Sequence, residues 1–165
     1  MPKTYTIGGG GAPAPRIDDI VPAAANGPAI QLDQQSVNNG TWFNSVGRHT
    51  GQLAAGSSLG TTGLGHCFGL CLLWNKVGLN FTSGYCTHMS SLQGPTYNQR
   101  LADIGALVPH NPWVAVSLVN NPVWIGQLTG ALTAAGIADD HIWLYVRAGG
   151  SPTFGVDCLG NFGER

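Results

Sequence analysis

The sequence contains few charged side chains. Lys, Arg, Asp and Glu together make up 9% of its 165 residues, whereas soluble domains usually contain ~25%. The formal net charge is -1, and no cluster of basic residues marks a surface for nucleic acid or for an anionic membrane. We therefore expect no nucleic-acid partner.

Long apolar runs are also missing. No stretch reaches the ~18 consecutive apolar residues of a transmembrane helix, so the sequence predicts no membrane span. Residues 1–14 lack the charged region followed by an apolar region that forms a Sec signal peptide. A protein exported by a specialised secretion system would look the same, so the missing signal does not by itself predict a cytosolic location.

Glycine and proline are concentrated near the N-terminus. Residues 8–15 read Gly-Gly-Gly-Gly-Ala-Pro-Ala-Pro, which is the composition of a linker. We therefore predict a flexible N-terminal arm over residues 1–28. Residues 29–165 are long enough to bury a core of their own, and we predict that they form a single domain.

The sequence contains four cysteines, namely Cys67, Cys71, Cys86 and Cys158. On a helix, Cys67 and Cys71 would have Cβ atoms ~5–6 Å apart, whereas a disulfide needs ~3.5–4.5 Å. Two disulfides among the four are possible in principle. Without a Sec signal, reduced thiols fit the chain better.

Hydrophobic periodicity predicts an α+β fold. The segment Phe68–Val77 is apolar on nearly all sides, which is typical of a buried helix. Residues 97–107 and 122–135 show helical patterns as well. Strands are predicted over residues 114–119, 141–146 and 153–156, and the last two are expected to form a hairpin or to lie close together.

A glycine-rich turn precedes the first predicted helix and places Cys67 at its first turn. The free N–H groups and the positive end of the helix dipole favour an anion at this position. Such an environment favours the thiolate, which is the nucleophilic form of cysteine. We therefore predict that Cys67 is a catalytic nucleophile.

His141 and Asp157 are the candidate partners of this nucleophile. His141 begins one predicted strand and Asp157 ends the next. If the strands are adjacent, the Asp157 carboxylate can hold one imidazole nitrogen while the other faces the thiol. This arrangement of nucleophile, base and orienting group is that of a catalytic triad.

Three segments resemble the papain-like cysteine proteases of the YopT type, a family of bacterial effectors. They are residues 65–70 with Trp74, residues 140–145 and residues 154–162. The resemblance implies a papain-like core, in which a central helix carrying the nucleophile packs on an antiparallel sheet. It also implies Cys67 as nucleophile, His141 as general base and acid, and Asp157 as the group that orients the histidine, without a cofactor.

The resemblance implies an effector protease that hydrolyses amide bonds of a target-cell protein through a thioester. It further implies release by a specialised bacterial secretion system and action in the cytoplasm of the target cell. The order Cys, His, Asp equally suits the papain-like glutamine deamidase toxins, which hydrolyse a side-chain amide. A binding or structural module without catalytic activity is the remaining alternative.

Two further questions arise from the same region. The residues His66, Cys67, Cys71, Cys86 and His88 are potential zinc ligands, but their spacing fits the usual two close pairs only loosely, and we expect no metal.

The Cys67 N–H is one expected oxyanion donor. The second donor is expected from Gln52, Asn44 or Asn38.

Overall fold

The computed structural model describes residues 1–8, 13–21, 24–29, 32–44, 47–149 and 152–165. The helices are α1 (Gln34–Asn38), α2 (Gly94–Leu107) and α3 (Pro122–Ala134), with 3-10 turns at Val108–His110 and Asp139–His141. The strands are β1 (Lys3–Ile7), β2 (Ala24–Gly27), β3 (Thr41–Phe43), β4 (Arg48–Gln52), β5 (Ser58–Thr61), β6 (Phe68–Val77), β7 (Asn80–Met89), β8 (Trp113–Val119), β9 (Ile142–Arg147), β10 (Phe154–Asp157) and β11 (Phe162–Gly163). The predicted α+β class is confirmed.

The strands form two sheets. The larger has seven strands in the order β2-β1-β9-β8-β6-β7-β4, and the smaller has four in the order β11-β10-β5-β3. In the larger sheet β2, β1, β9 and β8 run parallel, while β6, β7 and β4 are joined by antiparallel pairing. The antiparallel hairpin of β6 and β7 therefore lies beside a parallel half.

Both faces of the seven-stranded sheet are covered. On one face α2 and α3 bury a helix-side core that includes Leu70, Val116, Ile104 and Leu128. On the other face the smaller sheet buries an inter-sheet core that includes Leu59, Cys71, Trp143, Phe154 and Phe162. The molecule thus consists of helices, a large sheet and a small sheet in three layers.

The helix predicted over Phe68–Val77 is wrong, because this segment is strand β6. Its side chains alternate between two buried faces: Phe68, Leu70, Leu72 and Trp74 face the helices, whereas Cys71 and Leu73 face the smaller sheet. A strand covered on both sides is apolar along its whole length, so its sequence resembles that of a buried helix. Cys67 therefore has no helix N-terminus behind it, and the central helix implied by the papain resemblance is not found at this position.

The two later helices and the strands β8, β9 and β10 occur where the sequence predicts them. A hairpin of β9 and β10 is wrong, however, because β9 belongs to the larger sheet and β10 to the smaller one. The two strands do lie close together, with the rings of Tyr145 and Phe154 5.3 Å apart. Among the described residues, no helix combines the length and the apolar character that crossing a membrane requires.

The N-terminal arm predicted over residues 1–28 is also corrected. Strand β1 pairs in parallel with β9 and with β2, and the side chains of Tyr5 and Ile17 are fully buried. Most of the glycine run lies outside the described residues. Strands β1 and β2 are therefore part of the larger sheet, and the side chains of Tyr5 and Ile17 contribute to the inter-sheet core.

Candidate functional site

The predicted triad of Cys67, His141 and Asp157 is not assembled. Strand β9 has six residues, begins directly after His141 and ends at Arg147. The Arg147 Nη2 donates a hydrogen bond to the Cys67 carbonyl over 2.5 Å. Because a strand rises ~3.3 Å per residue, this one is ~20 Å long. Cys67 and His141 therefore lie at opposite ends of the larger sheet.

His141 has partners of its own at the far end. Its ring stacks on Trp113 with a centroid separation of 3.6 Å, and Nδ1 lies 3.1 Å from the carbonyl oxygen of Pro112. These contacts connect the 3-10 turn before β9 to the start of β8. They give His141 a structural role.

The Asp157 carboxylate likewise has hydrogen-bond partners of its own. Its fully buried carboxylate accepts from the backbone N–H groups of Asp33, Leu159 and Asn161 and from the Asn161 side-chain amide, all within 2.9–3.0 Å. Together they tie the turn after β10 to the start of α1. The carboxylate is thus a structural acceptor and does not orient His141.

The structure instead brings Cys67 to the same face of the β6–β7 hairpin as His88. In the β6–β7 pair, Gly69 lies opposite His88. Cys67 is two residues before Gly69 and packs against the inter-sheet core, so its side chain points to the same face as the imidazole. Such diagonal neighbours lie ~7–8 Å apart or less. Since Gly69 has no side chain, His88 has no directly opposite side chain on β6.

A hydrogen-bond chain holds the His88 ring. The Thr61 Oγ1 lies 3.0 Å from the Phe43 carbonyl oxygen and 2.9 Å from His88 Nδ1. When the hydroxyl donates its proton to the carbonyl, Nδ1–H of the neutral ring donates to Oγ1. This tautomer leaves Nε2 with a lone pair, which is the form that accepts a proton from a thiol.

Arg147 fixes the loop that carries Cys67. Its side chain is only 1% exposed, and besides the bond to the Cys67 carbonyl its Nη1 donates to the Gly65 carbonyl over 2.7 Å. Among the described residues, its Nε has no hydrogen-bond partner. A fixed positive charge therefore lies behind the candidate nucleophile.

The turn before Cys67 requires left-handed backbone. Gly63 and Gly65 have φ angles of +66° and +50°, which glycine adopts without the steric cost that other residues carry. The Cys67 N–H donates to the Leu64 carbonyl over 2.5 Å. The glycine-rich turn therefore presents the thiol from a tight loop rather than from the start of a helix.

The imidazole of His88 is perturbed toward its neutral form. Burial lowers its pKa from the ordinary 6.5, and the positive charge of Arg147 lowers it further. Both effects disfavour the imidazolium cation. At neutral pH the ring is therefore a base rather than an acid.

We expect NMR titration of the folded protein to give a His88 midpoint below 6.5. Because the unfolded chain takes up this proton first as the pH falls, the contribution of His88 to stability is complete above ~6.5 and is lost as the pH falls through the lowered pKa.

The variant Arg147→Met is expected to raise the His88 midpoint by removing the repulsive charge, whereas Lys76→Met at the other end of β6 is expected to leave it in place. Equal midpoints in the protein and in both variants would contradict the electrostatic contribution of Arg147.

Access to the site is narrow. Cys67 is half-buried, whereas Thr61, His88 and Arg147 are buried. Among these four residues, solvent therefore reaches only Cys67.

A cavity of about 340 Å³ opens on the helix side of the sheet, the face opposite to the Cys67 side chain. Its walls include His66 and Phe68, which flank Cys67 in the chain, together with Ser90 and Trp124. The Phe68 and Trp124 rings meet edge to face with centroids 5.5 Å apart. Cys67 does not line this cavity, which lies across the sheet from the thiol.

The described residues contain no ligand set for the zinc site considered from the sequence. Within the described ranges, no three His, Cys, Asp or Glu residues are placed to hold a metal ion together. The candidates from the sequence divide by position: Cys71 and Cys86 contact each other in the core, His66 is exposed and His88 is bound to Thr61.

The predicted oxyanion donors are mostly placed elsewhere. The Cys67 N–H is bound to Leu64, Gln52 lies opposite Ser83 toward the other end of the hairpin, and Asn38 accepts from Gln34. Asn44 follows Phe43, whose carbonyl accepts from Thr61, so it is the only one of the three candidates near the site by position in the chain.

Sequence reasoning missed the roles of Thr61, His88 and Arg147. The signal that was present is alternation: once residues 68–89 are treated as two strands of a hairpin, Cys67 and His88 fall on one face. No protein-family model matches the sequence, and no curated protein matches it either. The geometry around Cys67 and His88 is therefore what indicates a function for this chain.

Proposed function

We propose that this protein is a cysteine hydrolase of amide bonds in which Cys67 is the nucleophile and His88 is the general base. The observation that carries the proposal is the His88 ring, which is buried, held by Thr61 through Nδ1 and on the same face as the thiol. Thr61 takes the orienting role that the sequence assigned to Asp157. The enzyme class remains the one predicted from the sequence, with different partners for the nucleophile.

The reaction follows from these groups. Nε2 of His88 takes the Cys67 proton, and the thiolate attacks the amide carbon. As the C–N bond breaks, the imidazolium returns a proton to the leaving nitrogen, and a thioester remains. Water then attacks the thioester, His88 accepts its proton, and the products are a carboxylic acid and the free thiol. The Arg147 charge behind Cys67 favours the oxyanion electrostatically.

The narrow access favours a side-chain amide over a peptide bond. A glutamine side chain is slender and reaches a sulfur that is approached from one side, whereas a peptide bond brings chain on both sides of the scissile carbon. We therefore place glutamine deamidation before proteolysis, reversing the order that the sequence suggested. Export by a bacterial secretion system and action in a target cell stay predictions from the resemblance.

Glutamine-containing peptides distinguish these activities. Incubation of the protein with carbobenzoxy-Gln-Gly and with a tryptic peptide mixture is expected to release ammonia and to add about one dalton to each deamidated peptide. The variant Cys67→Ser is expected to release none. New peptide N-termini without ammonia would indicate a protease, and activity that survives Cys67→Ser would overturn the proposal.

A further inference from the structure

We propose that Cys71 and Cys86 are a redox modification site, which a small-molecule disulfide of the glutathione type converts to a cross-strand disulfide. The two residues lie directly opposite each other on β6 and β7. Their sulfur atoms are 2.7 Å apart, and both thiols are free in this structure. This site is separate from the proposed hydrolase and does not depend on it.

The backbone already holds the two residues at a suitable separation. Opposite residues on antiparallel strands have Cα atoms ~4.5–5.5 Å apart, which lies within the ~4.4–6.8 Å span of disulfides. Their side chains share one face, because both belong to the inter-sheet core. A covalent bond between the sulfurs therefore requires little movement of either strand.

The other two cysteines are placed differently. Cys158 accepts a hydrogen bond at its sulfur from the Gly56 N–H over 3.1 Å, and it follows β10 in the smaller sheet. Cys67 lies in the loop before β6, where Arg147 holds its carbonyl. Of the four thiols, Cys71 and Cys86 are thus the pair whose positions match a cross-link.

Burial controls when the reaction takes place. Cys71 and Cys86 are both fully buried. Burial raises the pKa of Cys71, so its reactive thiolate is rare in the folded protein. A disulfide reagent reaches the pair when the hairpin opens or before it is buried during folding. The cross-link is therefore set by the redox conditions under which the chain folds.

The chemistry is a pair of thiol–disulfide exchanges. One protein thiolate attacks a sulfur of glutathione disulfide, which forms a mixed disulfide and releases one glutathione. The second protein thiolate then attacks the protein sulfur of that mixed disulfide and releases the second glutathione. Two protein thiols are oxidised by two electrons in total, and one glutathione disulfide is reduced to two thiols.

The cross-link would lie next to the candidate site. Cys71 is two residues beyond Gly69 on β6, and Cys86 is two residues before His88 on β7. The bond would join the two strands that present the nucleophile and the base. On the shared face of these strands, the Cys71–Cys86 pair is the neighbour of the Gly69–His88 pair. Cys67 itself would stay free to react.

Refolding of the full chain in glutathione buffers tests the site. The protein is refolded from urea at graded ratios of glutathione to glutathione disulfide, then quenched with acid, alkylated and analysed by intact mass and peptide mapping. We expect a Cys71–Cys86 linked peptide, with Cys67 and Cys158 alkylated. We also expect the equilibrium constant for this disulfide to be at least ~10-fold larger in the folded chain than in urea, since the fold holds the thiols together.

Three variants complete the test. Cys71→Ser and Cys86→Ser are expected to lose the disulfide and to keep three alkylated thiols, whereas the matched control Cys158→Ser should retain the disulfide. Because mass reports the result, loss of hydrolase activity would not affect it. Four alkylated thiols at every ratio, an equal or smaller constant in the folded chain, or a disulfide that includes Cys67 or Cys158 would overturn the proposal.

Discussion

Replacing His88 with alanine is expected to lower the rate of amide hydrolysis about a thousandfold, within the range of roughly 100- to 10,000-fold usual for loss of a general base. The physical reason is that His88 lies on the same face as the thiol, so its loss removes the proposed acceptor of the Cys67 proton. The measurement is ammonia release from carbobenzoxy-Gln-Gly over a range of pH. In the variant, the rate is expected to follow the ionisation of the thiol alone and to rise toward alkaline pH.

His141→Ala is the matched control, because it removes the histidine that the sequence pointed to. Since His141 stacks on Trp113 at the far end of the sheet, this variant should keep the hydrolysis rate within about twofold, as expected for a residue outside the site. The reverse pattern, in which His141→Ala is inactive and His88→Ala is active, would restore the predicted triad and refute the site described above.

Asp157→Ala is expected to destabilise the protein by about 4 kcal/mol without a direct effect on the chemistry. The substitution removes the fully buried acceptor of the part-buried hydrogen bonds from the N–H groups of Asp33, Leu159 and Asn161, and a donor left unsatisfied costs up to ~1–3 kcal/mol. Urea denaturation measures the free energy of unfolding.

Two further substitutions test whether the loss of stability is specific to the hydrogen bonds of the Asp157 carboxylate. Asp157→Asn keeps one carbonyl acceptor and should cost less than Asp157→Ala, while Asp140→Ala removes an exposed carboxylate and should change stability by less than ~0.5 kcal/mol. If Asp157→Ala were as stable as the parent protein but inactive, a catalytic role for this carboxylate would have to be reconsidered.

The elements that the sequence predicts correctly are those with local signals. Helix α3 begins with Asn121, whose side chain accepts from Val123 and Trp124 N–H groups, and with Pro122 at its first turn, as helix starts prefer. Strand β8 is rich in β-branched residues and lies between Pro112 and Asn120. Such signals need no knowledge of the surrounding layers.

Strand β6 was mistaken for a helix because its environment is not local. Whether Leu70 and Cys71 face the same core or two different cores depends on a second sheet that includes β10 and β11, which are distant from β6 in the sequence. Because of the same error, the sequence predicts His141 rather than His88 as the base. A helix over Phe68–Val77 leaves His88 in a polar segment without an assigned element, and it hides the strand pair that brings His88 to the same face as Cys67.

The contact between Arg147 and the Cys67 loop has a consequence for the protein while it is being made. Thr61, Cys67 and His88 come from one continuous stretch, and local hairpin contacts form early. The guanidinium that holds the Cys67 carbonyl comes 80 residues later. A ribosome must therefore add strand β9 before the reactive loop takes its final shape, so unfinished chains would be poor catalysts inside the cell that produces them.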